Sequence, residues 1–123
     1  MSQPLAIVFY ERLLPGSQLV NRLQDLNYRV LVVSNLAQLA AIAKREAPLL
    51  LLVDLGARGE VGAAIDKIKA DNITAHVPVI GFAPDEKPEL LATARASGAN
   101  FTIADSGLAG HLPQLLQQAL HVE

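Results

Sequence analysis

The sequence predicts an α/β fold of the doubly wound kind, a parallel sheet with helices on both faces, and three observations carry that expectation. Extended apolar runs alternate five times with stretches of helical periodicity along the 123 residues. The run Leu49-Leu50-Leu51-Leu52-Val53 is five large aliphatics with no polar break, as a strand covered on both faces requires, and it closes on Asp54. The segments between extended runs are long enough for right-handed crossovers joining parallel strands. Hydrophobic residues make up 51% of the chain and charged ones 18%, enough apolar surface to offset the ordering entropy of one domain, residues 1–123.

Each element has a local reason. Residues 5–10, Leu-Ala-Ile-Val-Phe-Tyr, follow a proline and are rich in strand formers, giving the first strand. Pro15-Gly16-Ser17 reads as a turn, after which Leu19, Val20, Leu23 and Leu26 space helix one over roughly 16–26. Residues 28–33 are β-branched and aromatic, a second strand. Asn35, with Gln38 three residues later, resembles an N-cap and its capping-box partner at the head of helix two, whose Leu36, Leu39, Ala40 and Ala43 face inward. Pro48 stops that helix, and the third strand, 49–54, follows. Val61, Ala64, Ile65 and Ile68 space helix three, with Asp66, Lys67 and Lys69 on its wet side. Residues 77–83 form the fourth strand, with Pro78 tolerable near its start. Leu90, Leu91 and Ala94 face in from helix four, and Gly98 marks its end as a left-handed residue. Residues 100–104 make a short fifth strand. Leu108, Leu112, Leu115, Leu116, Ala119 and Leu120 form the broadest apolar stripe, a fifth helix running to about His121, with Asp105-Ser106 placed to cap it.

For five strands and five helices of this kind the flavodoxin-like order 2-1-3-4-5 is expected, and function then gathers at the carboxyl ends of the strands, beside the switch point between strands one and three. Glu11 and Asp54 are therefore expected to be neighbours. The net charge is −2, and Arg12, Arg29, Lys44, Arg45, Arg58, Lys67 and Lys69 are scattered, so no basic stripe suits a nucleic acid. The absence of Cys excludes disulfides, thiolate metal sites and thiol catalysis. No apolar stretch approaches membrane-spanning length and no secretory leader is recognisable, so a cytoplasmic protein is expected, without membrane partners. His76, His111 and His121 lie in separate segments without ligand spacing and read as surface residues. No Gly-rich phosphate loop and no motif of a hydrolase or metalloprotease occurs, so no enzymatic activity is expected.

With these residues in place, the chain resembles the receiver domain of bacterial response regulators, the chemotaxis-regulator type, from Leu5 to about Leu120. A receiver's third strand ends in the phosphoacceptor aspartate, with a glycine eight residues later; Asp54 and Gly62 match. Val77-Pro78-Val79-Ile80 resembles the family's fourth strand, and Ser97-Gly98-Ala99-Asn100 its turn into the fifth. The resemblance implies two-component signal transduction or a phosphorelay, with a histidine kinase or another signalling protein as partner.

Four departures weaken the chemistry that the family implies. Its acidic pair after strand one, which holds Mg2+ because a hard dication needs several oxygen ligands, is Tyr10-Glu11 here. Its hydroxyl residue ending strand four is Ala83. Its aromatic switch in strand five is Thr102. Its lysine ending strand five is Asp105, a reversal of charge: two carboxylates about 4 Å apart repel by about 1 kcal/mol in water and about 4 kcal/mol at an effective dielectric of 20, before any phosphate is added. Arg58, in the loop after Asp54, is the cation expected to pair with Asp54 or Asp105.

Two readings of Asp54 follow. In the favoured one it is a vestigial carboxylate in a pseudo-receiver, a stand-alone protein-interaction module that needs no cofactor and acts in trans independently of phosphorylation. In the alternative it is the phosphoacceptor of an atypical receiver, with Mg2+ held by Glu11, Asp54 and the Gly56 carbonyl. Under either reading the resemblance points to helix four, strand five and helix five as the surface for partners or a homodimer, with Glu89, Arg95, Asn100, Thr102, His111, Gln114, Gln117 and Gln118 on it. A small-molecule sensor using the switch-point cleft has no motif behind it.

Overall fold

The computed structural model describes residues 3–108 and 110–120. Its elements are β1 (Leu5–Phe9), α1 (Leu13–Asp25), β2 (Arg29–Val33), α2 (Leu39–Glu46), β3 (Leu50–Asp54), α3 (Val61–Ala70), β4 (Val79–Ala83), α4 (Glu89–Ala96), β5 (Phe101–Ala104) and α5 (Leu112–Ala119), with short 3₁₀ turns at Leu36–Gln38 and Asp105–Gly107. The five strands are parallel in the order β2-β1-β3-β4-β5, so the flavodoxin-like doubly wound fold is present as expected.

The strand period of two divides the core between the sheet's faces. Ile7, Phe9, Leu51, Val53 and Val79 meet Leu39 and Ala43 of α2, Val61, Ile65 and Ile68 of α3, and Ala94 of α4. Ala6, Val8, Leu50, Leu52, Ile80 and Phe82 meet Leu19 and Leu23 of α1 and Leu112 and Leu116 of α5. Because both faces are covered, every residue of β1, β3 and β4 is buried, which is why these strands are apolar throughout except for Asp54 at the end of β3. Truncating one of these large side chains to Ala costs about 2–5 kcal/mol. β5 is short and half-buried along its length, as an outer strand can be.

Three boundaries differ from expectation for local reasons. α1 begins at Leu13, with Gly16 N–H donating to the Arg12 carbonyl at 3.1 Å, so Pro15-Gly16 is helix and not turn. A proline in the first turn costs no helical hydrogen bond. Gly16 is also required there, because a Cβ would lie 2.2 Å from the Tyr10 ring. Asn35 does accept from Ala37 N–H at 3.0 Å, but it caps the 3₁₀ turn; Gln38 is the residue preceding α2 and makes no side-chain cap bond there. Asp105 and Ser106 do not cap α5, which starts later at Leu112 with Pro113 in its first turn; the Asp105 carboxylate is drawn to an arginine instead. Gly98 takes its expected positive φ of 110°. His121, the expected end of the last helix, lies outside the described residues.

Candidate functional site at the carboxyl end of the sheet

The parallel register sets Phe9 beside Val53 and Asp54 beside Phe82, so the chain leaving β1 passes directly over the carboxylate that ends β3. Asp54 has no exposed surface. A charge in such a place is tolerable only when it is fully hydrogen-bonded. Its Oδ2 accepts from Glu11 N–H at 3.0 Å and Arg12 N–H at 2.9 Å, and its Oδ1 accepts from Gly56 N–H at 3.0 Å and Arg12 Nε at 2.8 Å. A carboxylate offers about four acceptor positions, so those of Asp54 are filled.

Arg12 is the centre of this arrangement. Its Nη2 also approaches Asp54 Oδ1 to 2.8 Å, and its Nη1 and Nη2 donate to Asp105 Oδ2 and Oδ1 at 2.6 and 3.2 Å, a forked pair of the kind only a guanidinium makes. The guanidinium carbon stands 5.8 Å from the centroid of the Phe82 ring, within cation–π range. Gly56 makes room for it, since a Cβ at that position would lie 2.6 Å from Arg12 Nε. Partial burial disfavours the charged guanidinium, but its hydrogen bonds to Asp105 and Asp54 outweigh that and raise its pKa above the ordinary value. The repulsion expected between Asp54 and Asp105 is thus replaced by attraction to a shared cation.

Glu11 is a neighbour of Asp54 through its backbone only. Its carboxylate turns away and accepts from Arg58 N–H at 3.0 Å and Arg58 Nε at 3.2 Å. The Arg58 backbone N–H, above all, holds the Glu11 pKa below its ordinary value. The expected pairing of Arg58 with Asp54 or Asp105 is therefore wrong: the loop carries Arg58 outward, its side chain 91% exposed, while Arg12 already occupies the space between the two aspartates. Of the expected ligand set Glu11, Asp54 and the Gly56 carbonyl, the first carboxylate turns its Oε1 to Arg58 and the second accepts four N–H donors. Among the described residues no group of three His, Cys, Asp or Glu side chains could hold a metal ion.

Ala83 is buried at the end of β4 and contributes no donor. Thr102 accepts from Arg95 Nε at 3.0 Å, which ties β5 to α4 at this position. Hydrogen bonds from Ser106 keep Asp85 below its ordinary pKa, and the 3.0 Å bond from Ser106 N–H fastens the turn after β5 to the loop before α4. Phe82 is core, whereas Tyr10 is half-buried against Gly16.

Of the residues expected on the α4–β5–α5 surface, Glu89, Arg95, Asn100, His111, Gln114, Gln117 and Gln118 are exposed and Thr102 is half-exposed. Asn100 is partly committed, since its Oδ1 accepts from Val79 N–H at 2.9 Å and extends the sheet. Gln117 lies in a cleft with Leu26, Tyr28 and Pro113, on the side of α5 that faces α1. His76 is exposed, as expected.

Arg12 is the residue of this cluster that sequence reasoning passed over. A charge reversal at residue 105 leaves two carboxylates converging on one place and demands a cation, and the first residues after β1 are as close to that place as the loop after β3.

This geometry and topology define a receiver fold whose acidic end is closed by an internal cation. No family model matches the chain, and no curated protein matches it in sequence. Among solved structures, the receiver domain of a sensor histidine kinase from Pseudomonas aeruginosa, with a magnesium ion coordinated in its active-site cleft, superposes with a TM-score of 0.86 at 20% identity, covering 97% of this chain and 98% of that one. The receiver domain of NtrX from Brucella abortus gives 0.83 at 20% identity over 96% and 99% of the two chains. The signal receiver domain of a modulated diguanylate cyclase from Desulfovibrio desulfuricans gives 0.81 at 21% identity over 98% and 95%. No helix of the described residues is long and apolar enough to cross a membrane.

Proposed function

We propose that this chain is a pseudo-receiver: a cytoplasmic, non-enzymatic signalling module that acts by binding another protein and does not depend on phosphorylation. The observation that supports this most is the state of Asp54. A nucleophilic carboxylate needs a free lone pair facing the incoming phosphorus, and both oxygens of Asp54 are taken up by four N–H donors. One of those donors is the side chain of Arg12, which is held from its other side by Asp105. Attack would require that fork to open inside a poorly solvated site, with Ala83 offering no hydroxyl and Asp105 opposing the added charge.

The partner surface in this reading is α4, β5 and α5, whose exposed residues include the uncharged Gln114 and Gln118, His111, and Arg95 with its bond to Thr102. Its partner is a signalling protein or a second copy of the chain. Incubation with acetyl phosphate, or with beryllofluoride and Mg2+, is expected to leave the intact mass and the amide signals of Glu11, Arg12 and Gly56 unchanged. Stoichiometric modification that Asp54→Asn abolishes would overturn the proposal in favour of an atypical phosphorylatable receiver using Asp54 and Mg2+.

A further inference from the structure

We infer that Arg12 takes the place of a divalent cation at this end of the fold, so that the acidic end is permanently closed and blind to metal. The inference deepens the pseudo-receiver reading and rests on it. Mg2+ demands near-octahedral oxygen coordination and is reluctant to shed water, so a protein site for it must offer carboxylate lone pairs that face open space. Asp54, Asp105 and Glu11 each already have an arginine partner. Asp54 accepts four N–H bonds, Asp105 gives its two oxygens to Nη1 and Nη2 of Arg12, and Glu11 turns its Oε1 to Arg58, so that only its Oε2 is left over. One uncommitted carboxylate oxygen between two arginines is not the set of oxygen ligands that a hard dication requires. Gly56 shows that the backbone is shaped around that guanidinium, since any larger residue would collide with Nε.

The same fork has a mechanical effect. Arg12 lies at the start of α1, Asp54 at the end of β3 and Asp105 in the turn after β5, so one side chain ties three segments together. Ser106, next to Asp105, is held from the opposite side by Asp85. The turn that leads from β5 towards α5 is therefore fastened on two sides, and the α4–β5–α5 surface is presented in one arrangement without an added ion.

The test is a Mn2+ titration of the full chain, followed by paramagnetic broadening of backbone amide signals and by thermal melting, for the natural sequence and for Arg12→Ala, Arg12→Gln and Arg12→Lys. The natural sequence and Arg12→Lys should show no selective broadening at Glu11, Gly56 or Ser106 and no melting shift. The neutral variants leave Asp54 and Asp105 facing each other without a cation. They should broaden at those amides, and their melting temperature should rise by roughly 5 °C once Mn2+ is about tenfold above its dissociation constant. If Arg12→Ala does not fold, Arg12→Gln and the natural sequence carry the test. Selective broadening in the natural sequence, or neutral variants as indifferent to Mn2+ as the natural one, would overturn the inference. Mn2+ binding by the natural sequence without a beryllofluoride adduct removes this inference alone, whereas the adduct removes the pseudo-receiver reading.

Discussion

Two arginine–carboxylate clusters lie side by side at the carboxyl end of the sheet, and they differ in almost everything except their chemistry. In the central one, Arg12 is 25% exposed and binds an Asp54 that is wholly buried; in the outer one, Arg58 is 91% exposed and binds a Glu11 that is 40% exposed. Water competes for the outer pair and salt screens it, whereas the central pair has replaced water with fixed donors. The same two functional groups should therefore govern stability in one place and contribute little in the other.

The largest expected effect comes from removing the buried carboxylate. Asp54→Ala leaves Arg12 Nε and three backbone N–H groups without their acceptor, with only Asp105 left to hold the guanidinium, and should lower unfolding free energy by about 3–5 kcal/mol, read from the urea midpoint. Arg12→Ala should cost less, about 2–3 kcal/mol, because the backbone donors to Asp54 remain. Asp105→Ala should cost about 1 kcal/mol, and a double-mutant cycle with Arg12→Ala should return most of that as coupling energy. Arg58→Ala should stay within about 0.5 kcal/mol of the natural sequence. A loss at Arg58 as large as that at Arg12 would erase the distinction between centre and rim.

The smallest effect is also the most discriminating. Glu11 titrates below its ordinary value of 4.5, chiefly because the Arg58 backbone N–H donates to it. Its folded pKa is depressed, so its contribution to stability is present above that ordinary value and is lost as pH falls through the lower folded one. Arg58→Ala keeps the backbone donor, and an NMR titration should find Glu11 still depressed in that variant. A return to the ordinary value would assign the effect to the side chain instead.

Most of the fold was legible because covered strands and helical stripes leave strong periodic signals: the run from Leu50 to Val53 and the Val61, Ile65, Ile68 spacing both became what they suggested. Helix one started earlier than expected because Pro15-Gly16 is ambiguous, serving a turn or the first turn of a helix, and only the Tyr10 ring lying over Gly16 decides between them. The candidate site was legible at Asp54, whose position follows from strand three alone. It was not legible at Arg12, because where a long side chain lands depends on three segments distant in sequence. Arg58 was the nearer cation to Asp54 along the chain and the farther one in effect, since loop direction, not sequence separation, determines what it touches.

The closed cluster also has an electrostatic signature at a distance. Asp54, Asp105 and Glu11 are matched by Arg12 and Arg58, leaving one residual negative charge where the strand ends converge. Beyond roughly 8–10 Å in physiological salt such a group projects almost no field, so it neither gathers cations nor steers an approaching charged molecule. This end of the sheet would therefore add little to the ionic-strength dependence of any association.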